Sequence, residues 1–109
     1  MSMQHCCPPR AREADPAGAA TLFKALSDPH RLAIVAMLSA AAGEICVCNF
    51  TSELPLNQPA VSHHLRILRE AGLVTCERRG TWVYYRLSSD ARARIASAVS
   101  SILPEAIAA

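Results

Sequence analysis

No run of apolar residues in this chain approaches the roughly 20 needed to cross a bilayer as a helix. A helical membrane protein is therefore excluded. The leading stretch, MSMQHCCPPRAREADP, has no apolar segment of the kind a secretory signal carries, so the sequence reads as cytoplasmic. The glycine-rich phosphate loop and the signatures GxSxG, HExxH and GxGxxG are all missing. With them goes the case for an enzyme, since only the thiols offer reactive chemistry. The five cysteines lack the regular spacing of a disulfide-stapled domain, and in a cytoplasmic protein they suggest thiol chemistry or metal binding. No internal repeat is visible. Charge is sparse, at 18% against 51% hydrophobic residues, which argues for a folded chain.

What is present fits one small domain of 109 residues with a modest core. Much of the apolar content is alanine, so each helix brings little bulk, and a subunit interface would help to bury the rest. The net charge of +2 conceals an asymmetry. Residues 58–94 carry seven arginines against Glu70, Glu77 and Asp90, while the flanking segments are each slightly acidic. A basic excess confined to one region suits phosphate binding.

That region begins with NQPAVSHHLRILREAG, Asn57 to Gly72. Asn57 reads as an N-cap, Pro59 sits in the first turn, and Gly72 stops the helix. Val61, Leu65 and Leu68 recur at helical spacing and mark a buried stripe. The remaining face carries Gln58, Ser62, His63, Arg66 and Arg69, which donate to base edges and phosphates, with the positive helix N-terminus towards DNA. Upstream, Phe50–Leu54 reads as a short helix with a turn at Pro55–Leu56. This is helix–turn–helix logic, in which one helix braces and the second reads the major groove.

Elsewhere the pattern predicts a polar, flexible N-terminal arm over 1–16, a folded domain over 17–103 and a frayed end over 104–109. Ala17–Leu26 is a helix. Asp28 caps a second helix, with Pro29 at its first position, running to about Ala41 and burying Leu32, Val35 and Leu38. Glu44–Leu54 starts the brace helix. Leu73–Arg78 and Trp82–Leu87 alternate as two strands joined at Arg79–Gly80–Thr81. In the second strand Val83, Tyr85 and Leu87 point one way and Trp82, Tyr84 and Arg86 the other. Ser89–Leu103 is a last helix with Ile95, Val99 and Ile102 on one stripe. The fold class expected is α+β: a winged helix–turn–helix of about five helices with a two-stranded hairpin wing.

PAVSHHLRILREAGLV resembles the recognition helix of the ArsR/SmtB family of metal-sensing repressors. LFKALSDPHRLAIVAML, Leu22 to Leu38, resembles that family's first and second helices, and RRGTWVYYRL, Arg78 to Leu87, its wing. The resemblance implies that Arg78, Arg79 and Thr81 touch a phosphate or the minor groove. It implies a homodimer through the first and last helices, here Leu22, Leu26, Ile95, Val99 and Ile102. A dimer would in turn meet operator DNA carrying an inverted repeat.

Cys46-Val47-Cys48 is the informative thiol pair. On a helix, positions i and i+2 diverge by roughly 200°, so both thiolates reach one ion only where the backbone is not helical. The pair resembles the cysteines of the family's arsenic sensor and cadmium/lead sensor. The arsenic sensor's pattern often has a third cysteine at the position of Thr51 here. Cys6 and Cys7, on the arm, can supply the missing sulfur. Three soft thiolates suit As(III) or Sb(III); four suit Cd(II), Pb(II) or Zn(II). Packing as small core residues is the alternative role for Cys46 and Cys48. Cys76, alone on a strand, reads as packing. His63 and His64 are adjacent and lack chelating spacing, so a DNA contact for His63 and partial packing for His64 are expected, with His30 at the surface. The family's zinc site on the last helix is absent, because no histidine follows His64.

The leading expectation is a repressor released from DNA when As(III) or Sb(III) binds its thiolates. A redox or persulfide sensor of the same build is the second reading, and a small thiol metal carrier is one of a different class.

Overall fold

The computed structural model describes residues 16–41 and 43–103. The cysteine-bearing arm with Cys6 and Cys7, and the C-terminal residues 104–109, lie outside them. In chain order the elements are α1 (Pro16–Leu26), α2 (Pro29–Ala41), β1 (Ile45–Cys46), α3 (Val47–Glu53), α4 (Gln58–Glu70), β2 (Val74–Arg79), β3 (Trp82–Leu87) and α5 (Ala91–Ile102). This is the winged helix–turn–helix expected from the sequence.

Two of the helices, α2 and α4, start on a side-chain cap. Asp28 Oδ1 accepts from the amides of His30 at 2.8 Å and Arg31 at 3.3 Å, which satisfies orphan donors of α2. Asn57 does the same for α4, accepting from the Ala60 amide at 3.0 Å. At its other end α4 closes with Gly72 at φ 79°. The amides of Gly72 and Leu73 donate back to the carbonyls of Arg69 at 2.9 Å and Leu68 at 3.0 Å, the Schellman pattern that needs a left-handed residue.

The core lies between the helices and one face of the hairpin. Val61, Leu65 and Leu68 of α4 are fully buried, as their spacing predicts. They meet Ile34 and Leu38 of α2 and Phe50, the buried residue of α3. Burying a phenylalanine contributes about 1.5–3 kcal/mol, so Phe50 is what seats a seven-residue helix too short to hold itself. Leu32 departs from expectation: it is 53% exposed. The inward stripe of α2 runs through Ile34 and Leu38, and a residue two positions before Ile34 lies on the far side.

The sheet also departs from expectation. It has three antiparallel strands in the order β1-β3-β2 rather than two. Ile45 pairs with Tyr85 and Cys46 with Tyr84, so the segment read as the start of the brace helix is first a strand. A two-residue strand is too short to show alternation. The hairpin lies where the sequence placed it, but β2 runs on through Arg79, which pairs with Trp82, so the turn is Gly80–Thr81, with Gly80 at φ 66°, rather than Arg79–Gly80–Thr81. Tyr85 is buried and Val83 and Leu87 are half-buried, whereas Trp82 and Arg86 are exposed. Helices α1 and α5 pack along each other. Among the described residues no helix is long and apolar enough to cross a membrane.

Candidate nucleic-acid interface and thiol site

The outer face of α4 presents Gln58, Ser62, His63, Arg66 and Arg69, all exposed. They share a face because the buried stripe occupies the opposite one. Arg66 Nη2 lies 3.3 Å from His63 Nδ1. Arg69 leans towards the hairpin, where its Nη1 donates to Cys76 Sγ at 3.5 Å. His64 turns inward, with a side chain 12% exposed. Its Nδ1 is 3.1 Å from Arg31 Nη1 and its Nε2 is 4.0 Å from Asp28 Oδ1. The His30 ring lies beside it, with centroids 5.8 Å apart. Burial pushes the His64 pKa down, helped by Arg31, His63 and His30 and opposed by Asp28. His64 thus packs the reading helix onto α2, while His63 faces out.

On the wing, Arg79 is exposed but engaged. Its Nη1 donates to Glu44 Oε1 at 2.8 Å, and its Nη2 donates to Glu44 Oε2 and, at 2.8 Å, to Glu77 Oε1. Its Cζ sits 4.7 Å from the centroid of the Tyr84 ring. Arg86 Nη2 reaches the same Glu44 oxygen at 2.6 Å. Hydrogen bonds from Arg79 and Arg86 hold the Glu44 carboxyl below its usual pKa, and the Arg79 bond does the same for Glu77. Glu44 escaped the sequence reading because nothing local marks it. Only the short strand β1 brings it beside residues some 35 positions later.

The thiol pair sits where strand becomes helix. Cys46 is extended, at φ −73° and ψ 147°, and Cys48 lies in the first turn of α3. That break removes the divergence expected on a continuous helix, and the Cys48 thiol donates to Cys46 Sγ at 3.0 Å. The bond to Cys46, with some burial, raises the Cys48 pKa. Cys46 is buried and Cys48 exposed. Two sulfurs are available to one soft ion here. Among the described residues no group of three or more His, Cys, Asp or Glu side chains completes a site, so a third donor has to come from elsewhere. A cavity of about 320 Å³ joins the thiols and Thr51 to Gln58 and Ser62 of α4 and to Trp82 of the wing. Cys76 is exposed on β2 and does not line this cavity.

The residues assigned to a subunit contact divide. Leu22 is 4% exposed and belongs to the chain's own core. Leu26 and Ile95 are half-buried, and Val99 and Ile102 are exposed. Among these five residues the exposed ones lie on α5.

Residues 28–75 match the family model described as bacterial regulatory protein, arsR family. The arsenical resistance operon repressor of Escherichia coli is 51% identical over 67 residues, 62% of this chain and 56% of the repressor. This chain therefore matches little more than half of that protein's length. An HTH-type transcriptional regulator of Methanocaldococcus jannaschii is 47% identical over 72 residues, 66% of this chain and 80% of that protein. A solved structure of a possible transcriptional regulator for arsenical resistance superposes with a TM-score of 0.68 at 34% identity, covering 75% of this chain and 83% of that one. With a reading helix, a wing and these relatives, the chain is a winged-helix transcriptional regulator, not an enzyme, and belongs to the ArsR family.

Proposed function

We propose that this regulator is a cytoplasmic homodimeric repressor of a promoter with an inverted-repeat operator, released when a thiophilic ion binds Cys46 and Cys48. As(III) or Sb(III) is the first choice of inducer; Cd(II), Pb(II) and Zn(II) are the alternatives. The observation that carries the proposal is the 3.0 Å approach of the two sulfurs at the wall of a cavity that also holds Gln58 and Ser62. An ion there sits between the brace helix and the N-terminal turn of the reading helix. Cys6 or Cys7 supplies the third sulfur, from either subunit. The similarity to an arsenical resistance repressor supports the choice of ion. Gln58, Ser62 and His63 reach bases in this reading, and Arg66, Arg69 and Arg79 hold phosphates.

The ion releases DNA only insofar as it binds the free protein more tightly than the DNA complex. A coupling of about 1–3 kcal/mol, roughly 5- to 150-fold in operator affinity, is the ordinary scale. Ligation requires thiolates, so it releases protons. The same close pair also supports a second reading, in which the thiols are oxidised and no metal is needed.

The test is a titration of the reduced protein on its selected duplex with each of the five ions and with peroxide. Release by As(III) or Sb(III), lost in Cys46→Ser/Cys48→Ser and retained in Cys76→Ser, is the expected result. The Cys6→Ser/Cys7→Ser variant should lose ion affinity and keep operator affinity. Full As(III)-driven release of Cys46→Ser/Cys48→Ser would sink the site, and release by peroxide with no metal response would favour oxidation.

A further inference from the structure

Glu44 stands immediately before β1 and two residues before Cys46. Its two oxygens take three bonds, two from Arg79 and one from Arg86, and its side chain is 22% exposed against 45% and 55% for the arginines. Arg79 has one other acidic partner among the described residues, Glu77, but that residue belongs to the hairpin and moves with it. Glu44 is the partner that comes from outside the wing.

We propose that Glu44 is an internal counterion that competes with DNA phosphate for Arg79 and Arg86, and that the thiol pair governs operator affinity partly through this competition. The second half rests on the function proposed above; the first half does not. A guanidinium bonded through both outer nitrogens to a carboxylate presents little of its charge to a phosphate, because the same donors serve both. To dock the wing, the chain has to exchange Glu44 for a phosphate oxygen. An exposed ion pair is a modest opponent, so the exchange is possible at small cost. Position supplies the regulation. Glu44 is followed directly by Ile45 and Cys46, which are held in register against Tyr85 and Tyr84 of β3. Drawing Cys46 towards an ion shared with Cys48 shifts that segment along β3, and the Glu44 carboxylate moves with it relative to the arginines.

The test is ion-free binding of the full-length protein to its selected duplex across a salt series, for the parent and Glu44→Gln. The amide keeps the shape and removes the charge. Operator affinity should rise about two- to fivefold, the scale of an exposed ion pair. The slope of log affinity against log salt should steepen by up to about one unit, because the wing meets the same phosphates with one more net positive charge. Both effects should vanish in an Arg79→Ala/Arg86→Ala background. Glu44→Asp keeps the charge on a shorter arm and should move the same way by less; it serves as the test should Glu44→Gln not fold. Unchanged or weaker binding with an unchanged salt slope overturns the counterion role while leaving the repressor reading intact. A parent protein that binds no duplex overturns the repressor reading itself. With As(III) added, the release ratio should shrink in Glu44→Gln; an undiminished ratio removes Glu44 from the regulatory path.

Discussion

Arg94 donates from Nη1 to the carbonyl of Gly72 at 2.8 Å, and its Nη2 reaches the Ala71 carbonyl at 2.9 Å. A side chain of α5 thereby satisfies carbonyls left open at the end of the reading helix, and a positive charge meets the negative end of its dipole. Ser88 Oγ adds a third bond, to Gly72 O at 2.8 Å. Arg94→Ala should lower stability by about 1–3 kcal/mol, the scale of a charged hydrogen bond lost from a partly buried acceptor. Gly72→Ala should be destabilising as well, because φ is 79° and the new Cβ would lie 2.5 Å from Arg94 Nη1. Urea denaturation checks both. An Arg94→Ala midpoint equal to that of the parent would remove this clamp from the account.

DNA binding should divide by residue type. Arg79→Ala is expected to weaken binding to all sequences and to flatten the salt slope by about one unit. Gln58→Ala should cost about 1–3 kcal/mol on the selected site alone and relax one base position. Fluorescence anisotropy with operator and scrambled duplexes distinguishes the two. If both variants bind both duplexes as the parent does, the docking model fails.

The exposed stripe of α5 sets a test of assembly. Val99 is 42% exposed and Ile102 53% exposed in the single chain. Val99→Asp therefore places a charge where one chain alone leaves it in water, but where a dimer through α5 would bury it. The expected product is a folded monomer with weakened operator binding, read by sedimentation. A Val99→Asp protein that still sediments as a dimer moves the interface elsewhere.

His64 gives stability a pH dependence of defined sign. Its folded pKa lies below the ordinary value of about 6.5, chiefly because burial disfavours the charged ring. Between the folded and unfolded values the unfolded chain binds more protons, so stability rises with pH across that interval. The contribution is complete above the unfolded pKa and is lost as pH falls through the folded one. Asp28 acts at more acid pH: burial tends to raise its pKa, but the His30 and Arg31 amides bring it below the usual value. His64→Gln should flatten the slope just below neutrality. Denaturant midpoints from about pH 5 to 7.5 provide the measurement. An unchanged slope would mean that another group carries it.

How much was legible varies with the range of the signal. The caps at Asp28 and Asn57, the stop at Gly72 and the stripe Val61, Leu65 and Leu68 are local chemistry, and each stands where its residue type placed it. Leu32 and Ile34 were indistinguishable, because α2 is apolar almost all round and gives its inward face no contrast. Strand β1 was invisible for a different reason: only its partner Tyr84–Tyr85 makes it a strand. What hangs on β1 was hidden with it, including the meeting of Glu44 with Arg79 and the backbone break that lets Cys46 and Cys48 approach. The need for such a break was readable from helical geometry; its location was not.

The contrast in burial between the two sulfurs fixes an order of events for anything arriving from water. Cys48 is exposed and Cys46 is 7% exposed. A soft ion, an oxidant or an alkylating reagent meets Cys48 first, at a rate set by diffusion and thiolate chemistry. Cys46, its sulfur 3.0 Å from that of Cys48 on the wall of the same cavity, is met second. In the role proposed above, capture would then run in two steps, landing on Cys48 and closing onto Cys46.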